Sequence, residues 1–479
     1  MTSYASSDIY VGLDLGTTSV KLCLYNKNTK AVIRNTSSVT LADVISDVNC
    51  NEQDPYFIFK AIEKCVLDIP TEERERVKCI GVTGQMHGIL LWRNGLTQYS
   101  DDFRSRKLTS NLYTWQDLRC SDDFLSSLPE PDSLVPVSSG YGCATLFWLA
   151  RNDPEFLKGF CFSGSIMDCL VFVFCGLERP VMSEQICSSW GYYNTKQHSW
   201  NIEILEKADF PVPLLPSVVP SGGTAGTLAR EWFGIPAGVP VLAGLGDLQC
   251  AMFSAIQESH EAALNMSTSF QLGFLVSNDA TLSKLDNCKA IQVLPYFEEK
   301  SLAVAASLNG GNVLRSFVLM LKSWMTSLGI ELEEGDIWDK LSQLVHGYHG
   351  DDNRQPPQII PTIYGERHAP EVFGSVFGLR ESNTDLHSVY AALCRGLLVN
   401  MSSMLPQDLL QYYGVTHIVA TGSVVSRNPV IASAIRENYD GMKVVTSDKC
   451  DSALGVALVA AQTDFENRAQ IVFEEFRSA

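Results

Sequence analysis

Apolar and polar positions along this chain switch between two periods, and the switches mark its elements. Ile9-Tyr10-Val11-Gly12-Leu13-Asp14-Leu15 is β-branched and apolar almost throughout, the pattern of a buried strand. A Gly16-Thr17-Thr18-Ser19 turn follows, and Val20 to Tyr25 reads as the returning strand of a hairpin. From Asp54 to Leu67 the period lengthens, with Ile58, Ala61, Ile62, Cys65 and Val66 at helical spacing. Val77 to Thr83 is a second buried strand closed by Gly84, and Ile89 to Trp92 a short third one. Strand, helix and strand in this order predict an α/β layer.

Further on, Ser138 to Arg151 reads as a turn into a helix that ends near Pro154. Ser163 to Phe174 is apolar enough for a buried helix or strand, and Ser188 to Asn194 reads as loop and strand. Pro236-Ala237-Gly238-Val239-Pro240 punctuates the middle of the chain. Val241 to Gln249 then repeats the opening theme of apolar strand, glycines and aspartate. The recurrence predicts a second domain on the same plan, giving domains 1–240 and 241–479. Within the second, Ala262 to Met266 is a strand ending in Ser267-Thr268-Ser269. Ser307 to Asn312 leads a strand into a helix from Val313 to Leu328. Asp385 to Met404 is the best amphipathic pattern of the chain, with Leu386, Val389, Leu393, Leu397 and Met401 in phase. A strand at His417 to Ala420, a Thr421-Gly422-Ser423 turn and a helix from Asn428-Pro429 follow, proline being well tolerated at a helix start. Ser452 to Ala461 is a helix of small residues, and the charged tail after Asp464 reads as a surface helix.

Composition changes the picture only by exclusion. The 479 residues suffice for more than one core, and 46% hydrophobic with 19% charged residues is the balance of a globular protein. A formal net charge of −18 argues against a nucleic-acid or anionic-membrane partner, which needs a basic patch. It leaves a nucleotide substrate open, because amides and a cation can neutralise phosphates locally. Met1 to Asp8 has no basic segment followed by an apolar core, so no secretory signal is expected. No apolar run reaches the ~18–20 residues that span a bilayer. Cys161 to Gly176 comes nearest and carries Asp168. The fourteen cysteines are scattered without a C-x-x-C pair, which favours reduced thiols over disulfides or zinc and a cytosolic compartment.

The polar residues at the strand ends bring in chemistry. Gly16 lets a phosphate approach the backbone, the amides and hydroxyls of Thr17, Thr18 and Ser19 can donate to its oxygens, and Asp14 can hold Mg²⁺. The spacing differs from the Gly-x-x-x-x-Gly-Lys-Ser/Thr loop, and an ordinary hairpin turn is the alternative. Gln85-Met86-His87 leaves a buried strand where α/β sheets hold ligands, although a histidine there is often structural. Trp115-Gln116-Asp117 can clamp a polyol, the indole covering C–H groups while amide and carboxylate take hydroxyls. Tryptophan beside polar residues is also common on any surface.

Taken together, Asp14 to Ser19, Gly244 to Asp247 and Thr421 to Asn428 resemble the two phosphate motifs and the adenosine motif of the FGGY carbohydrate kinases, within the actin and hexokinase ATPase superfamily. Gly84-Gln85-Met86-His87-Gly88 is similar to a xylulokinase segment, and Gly365-Glu366-Arg367 to another family segment. The resemblance runs essentially the whole length. Residues 114–117, 140–149, 189–195 and 305–314 resemble the branch of the family acting on sedoheptulose. It implies an α/β fold of two RNase H-like domains with an interdomain cleft, sugar mainly on the first and ATP mainly on the second. Asp247 is implied as general base, Asp14 as the Mg²⁺ ligand, and Gly16, Thr17, Thr18, Ser19 and Thr268 as phosphate contacts. Gln85, Met86, His87, Trp115, Asp117 and Asp247 are implied at the ketose, Gly422 and Asn428 near adenine, and Gly311 or Asn312 near ribose or phosphate. Two positions depart from the pattern. Thr421-Gly422-Ser423 stands where many relatives have a glycine triplet, and Gln116 replaces the asparagine of xylulokinases, favouring a ketose other than xylulose. Xylulose or ribulose as acceptor, or a non-catalytic ATP- or sugar-binding relative, are the competing readings; both aspartates being present speaks against the last.

Overall fold

The opening hairpin forms as its pattern predicts. In the computed structural model, which describes residues 8–45, 47–96, 108–277, 284–285, 288–347, 355–447 and 451–463, strand β1 (Ile9–Leu15) is buried along its whole length. It turns through residues 16–18 into antiparallel β2 (Ser19–Asn26), and β3 (Ala31–Val39) pairs antiparallel with β2. Helix α1 (Pro55–Leu67) starts where Asp54 accepts the amide of Tyr56, with proline at the first position. Its apolar stripe packs on β2 and β3. Strand β4 (Val77–Gly84) then pairs parallel with β1, placing Thr83 beside Asp14. Full burial of a side chain such as Leu13 or Leu15 stabilises the sheet by roughly 1.5–3 kcal/mol.

Three later strands complete this seven-stranded sheet: β5 (Thr224–Thr227), β6 (Pro240–Leu242) and β7 (Leu245–Gly246). The order is β5-β6-β4-β1-β2-β3, with β7 also parallel to β4. The segment 241–249 therefore supplies inner strands of the first sheet, and the expected division at residue 240 falls within the first compact unit. Among the described residues that unit runs to Ser254 and takes in Leu294–Glu299 and the chain from Asp451. Its late helix (Ser452–Gln462) packs on β1 and β4. The contact is backbone to backbone: a side chain on Gly12 would collide with the carbonyl of Ala453, and one on Gly455 with that of Cys250. The small residues of this helix are what the approach requires.

The second compact unit comprises Ala255–Val293 and Lys300–Cys450. Here β8 (Glu261–Met266) turns through Ser267, Thr268 and Ser269 into β9 (Phe270–Val276). Strands β10 (Ile291–Pro295), β11 (Ser301–Ser307), β12 (His417–Thr421) and β13 (Lys443–Ser447) give the order β10-β11-β9-β8-β12-β13. Antiparallel β11-β9-β8 followed by parallel β12 and β13 repeats the β3-β2-β1-β4-β6 plan of the first unit. The repeat of the opening hairpin is thus β8–β9. Its helices include Gly311–Ser327, Leu386–Met404 capped by Asp385, and Pro429–Asn438.

One local expectation fails. Ser188, Ser189 and Trp190 close a helix (Glu184–Trp190) instead of forming a loop. Ser189 satisfies its hydroxyl on the carbonyl of Ile186 at 2.8 Å, and Trp190 is wholly buried beside Gly142. The expected tail helix lies outside the described residues. Among those residues no helix is long and apolar enough to cross a membrane.

Candidate active site

In the first unit, three parallel neighbours deliver functional side chains to one end of the sheet. Register pairs Asp14 with Thr83 and Leu245 with Thr83, so Asp14, Gln85 and Asp247 leave adjacent strand ends. With β4 between them, the backbones of Asp14 and Asp247 stand about 10 Å apart. This is the carboxyl end, where α/β sheets carry their ligands.

Asp14 is buried, and its Oδ1 has no hydrogen-bond partner among the described residues. Burial, then the negative charge of Asp247, pushes its carboxyl up to about 8, with Lys21 pulling the other way. Asp247 is partly exposed and opens the helix Asp247–Ala255. Burial lifts its carboxyl to about 6, and the Leu248 amide, donating to Oδ1 at 2.8 Å, resists the shift. A buried carboxylate oxygen left unpaired beside a second carboxylate is a donor set suited to a hard divalent cation that keeps most of its waters.

The turn that presents Asp247 is held from three sides. Thr83 donates to the carbonyl of Leu245 at 3.0 Å and Ser183 to that of Gly244 at 2.5 Å, while Gln185 accepts the amide of Gly246 at 3.2 Å. Three successive backbone groups before Asp247 are thereby fixed. Sequence reasoning missed Ser183 and Gln185, which lie some 60 residues upstream and carry no local signal.

The Gly16–Ser19 turn is braced by Thr40, whose amide donates to the Thr18 carbonyl at 3.0 Å and whose hydroxyl donates to that of Thr17 at 3.3 Å. Trp115, partly exposed, donates its indole N–H to Thr17 Oγ1 at 3.1 Å. The structure therefore joins the predicted polyol clamp to the predicted phosphate turn. Gln85 and Met86 are buried, and the Gln85 amide continues the parallel pairing by donating to the Leu15 carbonyl at 3.0 Å. His87 sits at φ 73°, a left-handed conformation that side chains rarely adopt. It is held there by the Ser189 hydroxyl on its amide, by Nδ1 at 2.9 Å from the Ser189 carbonyl, and by Tyr141 stacked 4.4 Å away. Asp117 is wholly buried: Arg119 reaches both its oxygens, at 2.8 and 2.9 Å, and the Asn51 amide donates to Oδ2. Its carboxylate anchors the loop that carries Trp115.

In the second unit the predicted residues gather around the Ser267–Ser269 turn, with one exception. Thr268 is exposed, its carbonyl accepts the Asn312 amide at 3.1 Å, and the Ser267 carbonyl accepts the Gly311 amide at 2.8 Å. Gly422 has φ 102°, and a side chain there would strike the Met266 carbonyl. Asn312 spends its side chain on the turn, accepting from Gly310 and Val313 and donating to Leu308, each at 2.8 Å. Glu366, buried, braces the same turn through Ser307, Leu308 and Asn309. Asn428 is the exception. It is buried, caps the helix Pro429–Asn438 by accepting the amides of Val430 and Ile431, and donates to Tyr390 at 3.1 Å.

Comparison with known proteins agrees with this geometry. Residues 9–254 match the N-terminal domain of the FGGY family of carbohydrate kinases. The chain belongs to the FGGY carbohydrate kinases, enzymes that phosphorylate sugars at the expense of ATP. Within that class, it is 40% identical to the mouse sedoheptulokinase over 97% of its own length and 99% of the relative's. It is 39% identical to the human sedoheptulokinase over 95% and 98%. A xylulose kinase structure from Rhodospirillum rubrum superposes with a TM-score of 0.77 at 16% identity, covering 95% of this chain and 89% of that one, and it supports the fold.

Proposed function

We propose that the chain phosphorylates sedoheptulose to sedoheptulose 7-phosphate with ATP, in the cytosol, with Asp247 as general base. The observation that carries this reading is the pair of strand-end carboxylates, Asp14 beside a turn to which the Trp115 indole is bonded, in a chain 40% identical to a sedoheptulokinase.

Asp247 takes the proton from the terminal hydroxyl of the ketose as that oxygen attacks the γ-phosphoryl group. A carboxyl lifted to about 6 is a stronger base than a free aspartate yet is mostly ionised at pH 7. The clamped backbone of residues 244–246 fixes where that base stands. Asp14 would hold Mg²⁺, which would neutralise phosphate charge when bound. Gly16, Thr17, Thr18 and Ser19 donate to phosphate oxygens, as does Thr268, and positioning of this kind supplies most of the catalysis in phosphoryl transfer. Gln85, Met86, His87 and Trp115 bind the ketose, and Asp117 acts by holding Trp115 in place. Gly311 and Gly422 let the nucleotide approach the backbone of the second unit, with Asn312 shaping the turn beside it and Asn428 supporting the helix that follows. On this reading the first unit serves mainly sugar and the second mainly ATP, and neither nucleic acid nor membrane is a partner.

The test is ADP release from Mg·ATP with sedoheptulose, xylulose, ribulose, glycerol and no sugar. Turnover greatest with sedoheptulose is expected. Preference for another ketose would overturn the substrate, and absence of sugar-dependent turnover would overturn the kinase reading.

A further inference from the structure

Gln53 ends the short strand Glu52–Gln53 and is fully buried. Its Nε2 donates to the carbonyl of Thr17 at 2.8 Å and to Asp43 Oδ1 at 2.9 Å, and its Oε1 accepts from Gln85 Nε2 at 3.0 Å. These directions follow from chemistry. A backbone carbonyl only accepts, and so does an ionised carboxylate. Both acceptors face one end of the Gln53 amide, so that end is the NH₂ and the oxygen faces Gln85. Gln85 must then turn its own NH₂ towards Gln53. What remains is Gln85 Oε1, a buried acceptor with no partner among the described residues. Leaving such an atom unpaired is unfavourable, and that cost is removed when a hydroxyl donates to it.

We propose that Gln53 is the positioning residue that fixes Gln85 as an acceptor for one ketose hydroxyl and ties that acceptor to the Gly16–Thr18 turn. The inference rests on the sugar-kinase reading above. The Thr17 carbonyl sets the polarity of the relay and ties it to the turn that also receives the Trp115 indole, while Asp43, exposed on the strand Asp43–Val44, is a second acceptor for the same NH₂. Neither Gln53 nor Asp43 needs to touch substrate. Their effect reaches the sugar through the orientation of Gln85.

The experiment measures kcat and KM of the full chain and of Gln53→Met with sedoheptulose, each of its monodeoxy analogues that keeps the 7-hydroxyl acceptor, and ATP. The native chain is expected to use one analogue at least about tenfold less well than sedoheptulose, because losing that hydroxyl strands Gln85 Oε1. In Gln53→Met the KM for sedoheptulose should rise about tenfold, and the penalty on that one analogue should vanish. A variant that loses the same factor with every analogue has a merely structural Gln53 and overturns the proposal, as does an unchanged KM. Should Gln53→Met not fold by circular dichroism, Gln53→Asn, polar but one methylene too short to bridge the Thr17 carbonyl and Gln85, reads the same pattern. A reduced penalty on the same analogue supports the relay, and an unaltered analogue profile refutes it. A native chain without sugar-dependent turnover would refute the kinase reading itself, a result separate from the pattern across analogues.

Discussion

The two units share a strand order and differ in what they place at the ends of the strands. At the exits of β1 and β7 the first unit carries carboxylates, Asp14 and Asp247, both lifted well above the usual aspartate range by burial. At the exits of β8 and β12, the counterparts of β1 and β4, the second unit carries a hydroxyl turn and glycines, and its asparagines are consumed by internal bonds. One plan thus serves two chemistries. On the proposed function, the first unit presents carboxylates able to take a proton, and the second presents backbone that a phosphate or ring can approach. Substitutions should therefore act through side-chain function in the first unit and through backbone shape in the second.

The largest break in that comparison is Asp247→Asn. It keeps the shape and removes the base, so sugar-dependent ADP release should fall by roughly 10²–10⁴-fold. ATP and ketose binding by calorimetry should persist. A change of pH acts on the same group more gently. Since Asp247 must be ionised to accept a proton, kcat/KM at saturating Mg²⁺, where the cation would keep Asp14 ionised, should fall about tenfold per pH unit below about 6 and level off above it. A flat profile between pH 5 and 7 would assign the base elsewhere.

In the second unit the corresponding break is steric. Gly422→Ala introduces a side chain at φ 102° against the Met266 carbonyl, and the KM for ATP should rise about tenfold while ketose affinity holds. Asn428→Ala sharpens the contrast further. Losing a helix cap costs about 1 kcal/mol, so the melting temperature should drop by a few degrees while the KM for ATP stays within about twofold.

A stability measurement completes the series, at a carboxyl packed against Gly244. Asp168 is wholly buried, caps its own helix through Ser165, and is pushed up to about 7 by burial. Its folded value lies above the unfolded one, so its contribution to stability declines as pH rises from about 4 to 7. Asp168→Asn should therefore gain stability relative to the native chain as pH climbs through that window, by up to about 4 kcal/mol. Urea titrations at pH 5 and 8 would show it.

Much of this was legible in the sequence, and for a physical reason. The opening hairpin, the helix after Asp54, the strand at Val77 and the amphipathic helix ending at Met404 announce themselves by periodicity, a local property of neighbouring residues. Asp14, Gln85 and Asp247 were legible because each stands directly at the end of an apolar run. Other features depend on contacts between distant segments. Ser183 and Gln185 clamp a turn 60 residues away, and Gln53 orients Gln85 across 32 positions. The strand at Val241 resembles an opening strand by its letters, and only its pairing with Ile80 places it inside the first sheet. The serines at 188 and 189 looked like loop by composition, until burial against Trp190 and Gly142 decided otherwise.

The seating of the Ser452–Gln462 helix on Gly12 has a consequence for biogenesis. During synthesis strand β1 waits for a helix encoded far downstream of it. The first unit's sheet can align earlier, but the flank of β1 that this helix covers stays wet until more than 430 further residues have been made. The second unit, an almost continuous insertion, is free to mature in the meantime. Such late closure adds loop entropy and exposes an apolar strand to wrong partners during synthesis. A chain truncated before Asp451 should accordingly emerge with a folded second half and an aggregation-prone first.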